Sequence, residues 1–200
     1  KISRLGLKPS TNFGIPNPPV YHASTILYPK SESRRKRNVP YQYGRMGTPT
    51  SDVLCKAIAE LYEAEGSIIA PSGLAAAVVG ILSFVKSGDH FLVADSAYGS
   101  TRKFITEFLP SINVEVEFYE PRVKSIEFER LVRKNTSLIY FESPGSLTFE
   151  LQDLPALTKV AKKYKITTIT DNTWGTALGQ KNFKLGVDAV IESYTKYVSG

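Results

Sequence analysis

Lys196 stands in the segment Ser193-Tyr194-Thr195-Lys196-Tyr197, just past the short apolar run Ala189-Val190-Ile191. Asp171 closes an earlier run, Ile166 to Thr170. A lysine just beyond one buried strand and an acid at the tip of another can reach opposite ends of a single bound cofactor. In that setting the lysine works as an amine nucleophile, because a partly desolvated amine gives up its proton more readily than one in water. Asp171 continues into Asn172-Thr173-Trp174 with no second acid or histidine close in sequence, so a metal site has no support there. A carboxylate so placed can instead keep a proton on a pyridine nitrogen. The plainer reading of Lys196 is a solvated loop cation, one of 25 Lys and Arg residues. The company it keeps argues against that reading.

That company is drawn from separate segments. Ser193 and Thr195 put two hydroxyls beside the lysine, a set that suits a phosphate. Pro71-Ser72-Gly73-Leu74 joins a short apolar run to the start of a helical pattern. Ser72 is a good N-cap, Gly73 lets a ligand approach the backbone, and the first N–H groups of such a helix attract an anion. A plain capped helix would read the same way, since this is no Walker loop or dinucleotide fingerprint. Tyr43-Gly44-Arg45 offers a planar guanidinium fork for phosphate with a phenol beside it. Tyr98 follows the run Phe91–Ala94 and can stack on a flat ring or simply pack at the rim of a sheet.

These residues need elements to hold them. Residues 1–49 read as an arm, because the prolines at 9, 16, 18, 19, 29 and 40 remove backbone donors and restrict their predecessors. An arm too proline-rich to build its own core can reach into a partner subunit. Residues 50–200 form the second region. Helical spacing predicts a helix over Asp52–Glu65. Beyond it, strands are expected at Ser67–Ala70, Phe91–Ala94, Val114–Phe118, Leu138–Phe141, Ile166–Thr170 and Ala189–Glu192. Helices are expected at Gly73–Val85, Ser100–Leu109, Ile126–Arg133 and Pro155–Tyr164. Continuous apolar strands alternating with helices imply an α/β domain with a mostly parallel sheet covered on both faces. Ligands on such sheets bind beyond the strand carboxyl ends, where Asp171, Ser72-Gly73 and Ser193 to Lys196 all fall.

Bulk properties narrow the function classes. The chain has 200 residues, 42% hydrophobic and 22% charged, a globular composition. Its longest apolar stretch, Leu74 to Val85, is too short to span a bilayer, and the first ten residues lack the apolar core of a signal peptide. A single cysteine, Cys55, excludes an internal disulfide and fits a reducing, cytoplasmic setting. The net charge of +6 owes four positive charges to Arg34-Arg35-Lys36-Arg37. Such a run can grip nucleic acid, but a solvated loop is the commoner outcome, and no aromatic or glycine-rich interleaving supports a nucleic-acid groove. His22 and His90 lie far apart and read as structural. Residue 1 is not methionine and the sequence stops one short loop past a buried strand, so a further C-terminal domain is expected outside it.

Taken in order and with their spacing, Tyr43-Gly44-Arg45, Pro71-Ser72-Gly73, Tyr98-Gly99, Glu142-Ser143-Pro144, Asp171-Asn172-Thr173 and Ser193-Tyr194-Thr195-Lys196-Tyr197 resemble the Cys/Met-metabolism pyridoxal-phosphate enzymes over essentially the whole chain. Within that family, Glu142 to Thr148 and Trp174 look most like the bacterial cystathionine β-lyases. Most family members carry Asn-Pro where this chain has Ser146-Leu147, and phenylalanine at the Trp174 position.

The resemblance implies the large domain of the aspartate-aminotransferase fold (fold type I), with the small C-terminal domain and its substrate-carboxylate arginine outside this sequence. It implies pyridoxal 5'-phosphate as cofactor and an amino-acid thioether as substrate. Lys196 would carry the cofactor covalently and shuttle the substrate's α-proton. Asp171 would pair with the ring nitrogen, and Tyr98 would stack on the ring and serve catalysis. Gly73, Leu74, Ser193 and Thr195 would hold the phosphate. Tyr43 and Arg45 would reach the phosphate of a neighbouring subunit, which requires a homodimer at least; family members are usually tetramers. The expected reaction is β-elimination of L-cystathionine in methionine biosynthesis. Cystathionine γ-synthase or γ-lyase is the alternative within the family. A non-catalytic fragment, or a nucleic-acid binder acting through Arg34 to Arg37, is the alternative of another class.

Overall fold

The computed structural model describes residues 4–198. Chain contacts divide it into two compact units, Lys1–Ile69 and Ala70–Gly200. In the first unit the only helix of more than two turns among the described residues is α2, and the proline pattern accounts for that. Helix α1 spans Ser31–Lys36 and α2 spans Pro49–Tyr62. The basic run is therefore helical for most of its length and not a loop. Glu32 near the start of α1 pairs with Lys36 one turn on at 2.7 Å, and Arg37 turns left-handed to end it. Helix α2 begins earlier than hydrophobic spacing suggests, because Thr48 and Ser51 form a reciprocal capping box and Pro49 occupies the first turn, where its missing N–H costs nothing. It ends at Tyr62 because Glu63 adopts a left-handed conformation.

In the second unit helices and strands alternate: α3 (Gly73–Leu82), β1 (His90–Ala94), α4 (Gly99–Glu107), β2 (Glu115–Tyr119), α5 (Ser125–Glu129), β3 (Thr136–Glu142), α6 (Leu154–Tyr164), β4 (Thr167–Asp171), α7 (Thr176–Gly179) and β5 (Ala189–Ile191). The strands form a five-stranded sheet in the order β2-β1-β3-β4-β5. Every pairing is parallel. The apolar strand runs are continuous because both faces are covered. Alternate residues feed two separate cores: Phe91, Val93, Leu138, Tyr140 and Ile169 pack with Ala77, Ile81 and Ile105 of α3 and α4. Leu92, Ala94, Ile139 and Phe141 pack with Phe128, Leu157 and Ala161 of α5 and α6. Each such side chain contributes about 1.5–3 kcal/mol on burial.

Ser67–Ala70, expected as a strand, joins no ladder among the described residues. Ile68 is 82% exposed, so the apolar run there lacks the two-sided cover a parallel strand needs. No helix among the described residues is long and apolar enough to cross a membrane. The chain runs outward from β1 to β2 and then returns to β3 on the other side of β1. This reversal opens a crevice at the carboxyl ends of β1 and β3, where such sheets place their ligands.

Candidate active site

Asp171 is the last residue of β4, and the parallel register sets it level with Glu142 at the end of β3 and Ile191 at the end of β5. The two carboxylates thus occupy adjacent strand tips at one edge. Just beyond, the backbone is tied across the strands. Asn172 N–H donates to the Ile191 carbonyl at 2.7 Å. Thr173 N–H donates to Asp171 Oδ1 at 2.9 Å. Ser193 N–H donates to Thr173 Oγ1 at 2.9 Å, and Lys196 N–H donates to the Ser193 carbonyl at 3.1 Å. A continuous chain of bonds therefore runs from the Asp171 carboxylate to the backbone of Lys196. Burial pushes the Asp171 carboxyl up, and its bonds from Thr173 work in the opposite direction.

Ser72 caps α3, its hydroxyl accepting from Ala75 N–H at 3.0 Å. No acidic residue lies in the first turn of α3, so nothing competes for the positive end of the helix. Gly73 abuts Ser193. A Cβ built on Gly73 would lie 2.6 Å from Ser193 Cβ and 2.7 Å from its Oγ. The structure thus brings Gly73, Leu74 and Ser193 together at the start of α3, with the backbone of residue 73 bare. A phosphate fits such a cradle: helix N–H groups, one hydroxyl and no side chain at the point of closest approach.

Tyr98 caps α4 from the loop after β1 and is 48% exposed. Its N–H donates to Glu142 Oε2 at 2.7 Å. Thr195 and Lys196 are exposed, so the partial desolvation expected for the Lys196 amine is not provided by the described residues. Beside Lys196, the rings of Phe149, Trp174 and Tyr197 form a row, with centroids 4.9 and 5.3 Å apart. Tyr43 and Arg45 belong to the first unit. The Arg45 guanidinium lies over the Tyr43 ring at 5.4 Å, and Gly44 N–H donates to the Ser24 carbonyl at 2.7 Å.

Sequence reasoning passed over Glu142 and Thr173 as site residues. Glu142 closes the run Leu138 to Phe141 just as Asp171 closes its own run, and that parallel was the available signal. Burial and the neighbouring Asp171 charge push the Glu142 carboxyl up to about 8. No local pattern predicts the role of Thr173, which depends on a strand far along the chain.

A parallel sheet with a strand-order reversal, a bare helix start against a serine, and an acid tied through hydrogen bonds to a lysine segment fit the large α/β domain of the aspartate-aminotransferase type of fold. The chain belongs to the Cys/Met metabolism PLP-dependent enzyme family, whose sequence profile matches residues 2–200. It is 45% identical over 200 residues to a Rhizobium johnstonii protein provisionally named a cystathionine beta-lyase, covering 100% of this chain and 50% of that protein. It is 38% identical over 213 residues to the L-alanine/L-glutamate racemase of Wolbachia pipientis, covering 100% of this chain and 52% of that one. Among solved structures, a Campylobacter jejuni protein provisionally named an O-acetylhomoserine (thiol)-lyase, with pyridoxyl-lysine phosphate in its chain, superposes with a TM-score of 0.89. Its sequence identity is 27%, over 99% of this chain and 50% of that one. The chain spans about half the length of these relatives. Pyridoxal 5'-phosphate is the cofactor of the family.

Proposed function

We propose that the protein is a carbon–sulfur lyase that cleaves L-cystathionine by β-elimination to homocysteine, pyruvate and ammonia, in methionine biosynthesis in the cytoplasm. The observation that carries this reading is the hydrogen-bonded path from Asp171 through Thr173 and Ser193 to Lys196, closed by the contact of Ser193 with Gly73. The provisional name of the Rhizobium relative favours the β-lyase reaction within the family.

When bound, pyridoxal phosphate supplies an electron sink for the charge left at the substrate's α-carbon. Lys196 would hold the cofactor, and its Nζ would take the substrate α-proton and return a proton to the departing thiolate. Asp171 would keep the ring nitrogen protonated. Tyr98 would stack on the ring. Gly73 and Leu74 would bind the phosphate through their N–H groups, and Ser193 and Thr195 through their hydroxyls. Tyr43 and Arg45 reach the phosphate of a neighbouring subunit, so the working unit is at least a homodimer, and a tetramer is the expected assembly.

The test is product analysis with L-cystathionine and the full-length protein. Pyruvate with homocysteine supports the β-lyase, whereas 2-oxobutyrate with cysteine assigns the protein to γ-elimination. The similarity to a racemase names a further outcome: release of D-amino acid without elimination would mean that the α-proton is removed but no leaving group departs.

A further inference from the structure

The crevice between β1 and β3 holds a contact that the assigned roles do not use. Glu142 is 8% exposed at the tip of β3, level with Asp171. Its Oε2 accepts the Tyr98 N–H at 2.7 Å across the point where the strand order reverses. Its own backbone is fixed from behind, since its carbonyl accepts from Gln152 Nε2 at 2.8 Å and Gln152 N–H donates to Ser143 Oγ at 2.9 Å. Gln152 is held in turn by the Tyr119 hydroxyl at 2.8 Å. Tyr98 caps α4 without a side-chain capping bond, at φ −50° and ψ 134°. The Glu142 carboxylate is the partner that fixes the start of that helix and the direction in which the Tyr98 ring leaves the backbone.

A glutamate is a costly choice for this task. A buried carboxylate beside a second carboxylate raises the energy of both, so below about pH 8 Glu142 takes the Tyr98 N–H as a neutral acid. We propose that Glu142 is a positioning residue for the cofactor ring: its bond to the Tyr98 N–H, made from the strand tip beside Asp171, sets Tyr98 against one face of the ring. This rests on the assignment of Asp171 to the ring nitrogen and Tyr98 to the ring face. The carboxyl of Glu142 is pushed up to about 8 by burial and by Asp171. The other titratable group at this spot is the Tyr140 phenol, fully buried on β3, which feels both carboxylates and is pushed well up.

The test uses the full-length protein loaded with pyridoxal phosphate, its Glu142→Gln, Glu142→Ala and Tyr98→Ala variants, and the Glu142→Ala/Tyr98→Ala double variant. The readouts are the cofactor dissociation constant and the visible circular dichroism of the bound cofactor. Glu142→Ala is expected to weaken cofactor binding about tenfold and to reduce the dichroic band. The double variant should bind no worse than Tyr98→Ala, because both changes remove one interaction. Glu142→Gln keeps an acceptor for Tyr98 and should restore both the band and the affinity. Additive losses in the cycle, or a band that Glu142→Gln fails to restore, would overturn the proposal. Wild-type protein and Lys196→Ala are the controls for the underlying reading. If the wild type shows no visible cofactor band, or Lys196→Ala keeps it covalently, the cofactor assignment itself fails, whatever Glu142 does.

Discussion

Gly73 and Ser193, far apart in the chain, meet so closely that residue 73 has no room for a side chain. A Cβ there would lie 2.6 Å from Ser193 Cβ, well inside ordinary contact. This fixes the start of α3 against the segment that carries Lys196. Gly73→Ala must push one of them away, at a cost of about 1–3 kcal/mol for overpacking. Cofactor affinity should also fall, because the displacement separates the start of α3 from Ser193, by roughly 10-fold for each 1.4 kcal/mol of binding lost. Ser193→Gly in the Gly73→Ala background relieves the clash and should restore thermal stability but not affinity, because the hydroxyl is gone. Equilibrium dialysis with pyridoxal phosphate, alongside a melting curve, separates the two effects.

Asp171 is expected to be dispensable for folding and essential for chemistry. Asp171→Asn keeps the shape and the acceptor for Thr173 N–H but cannot hold a proton on a ring nitrogen. Exchange of the substrate α-proton with deuterated water should slow by roughly 10²- to 10³-fold, the range for losing one preorganised electrostatic partner. The melting temperature should hold or rise, since a carboxyl pushed up by burial is destabilising when ionised. Exchange at the wild-type rate would remove Asp171 from the mechanism.

Thr173 makes the link between Asp171 and Ser193, accepting from Ser193 N–H on its hydroxyl. Thr173→Val keeps the volume and deletes the acceptor, leaving that N–H without its partner. A loss of about 1 kcal/mol of stability is expected for an unsatisfied, partly buried donor. Thr173→Ser, which keeps the hydroxyl, should recover most of it in urea denaturation.

Much of this arrangement is legible in the sequence. Both Asp171 and Lys196 follow apolar runs, and the alternation of such runs with helical spacing implied a parallel sheet whose carboxyl edge would gather them. What escaped was whatever depends on strand order. The pairing of Glu142 with Asp171 requires β3 to lie beside β4, and the bond from Tyr98 requires β1 to lie beside β3; neither follows from local pattern. Ser67–Ala70 shows the converse failure. Its residues suit a strand, but they lack the cover on both faces that a buried strand requires. The basic run around Arg35 read as a loop because its charges are solvated, yet an i,i+4 pair and a left-handed stop make it helical.

Glu142 also predicts how stability varies with pH. Its carboxyl is raised to about 8 in the folded protein, well above the ordinary carboxylate range. Between about pH 4.5 and 8 the folded state therefore holds a proton that the unfolded chain has released, and stability falls as pH rises through that window. Glu142→Gln removes the contribution. The melting temperature of Glu142→Gln relative to wild type should be lowest near pH 5 and should climb through pH 8 to 9, as the wild type loses ground. A gap that is flat with pH would show that Glu142 is already ionised in the native protein at pH 5.

The arm carries a constraint as tight as the one at Gly73. Gly44 sits between the two residues assigned to the neighbouring subunit's phosphate, and a Cβ there would lie 1.7 Å from the Ala23 carbonyl oxygen. The obstacle is backbone, so no rotamer change can relieve it, and Gly44→Ala must break the bond from Gly44 N–H to Ser24 and the bridge between Thr25 and Tyr43. Tyr43 and Arg45 then lose their shared orientation. Limited proteolysis should cut Gly44→Ala within the arm under conditions that leave the wild type intact. Cofactor affinity of the full-length assembly should fall at least as far as in Arg45→Ala, since both residues are displaced together. Arm cleavage without any loss of affinity would separate the arm from the phosphate and return Tyr43 and Arg45 to a purely structural role.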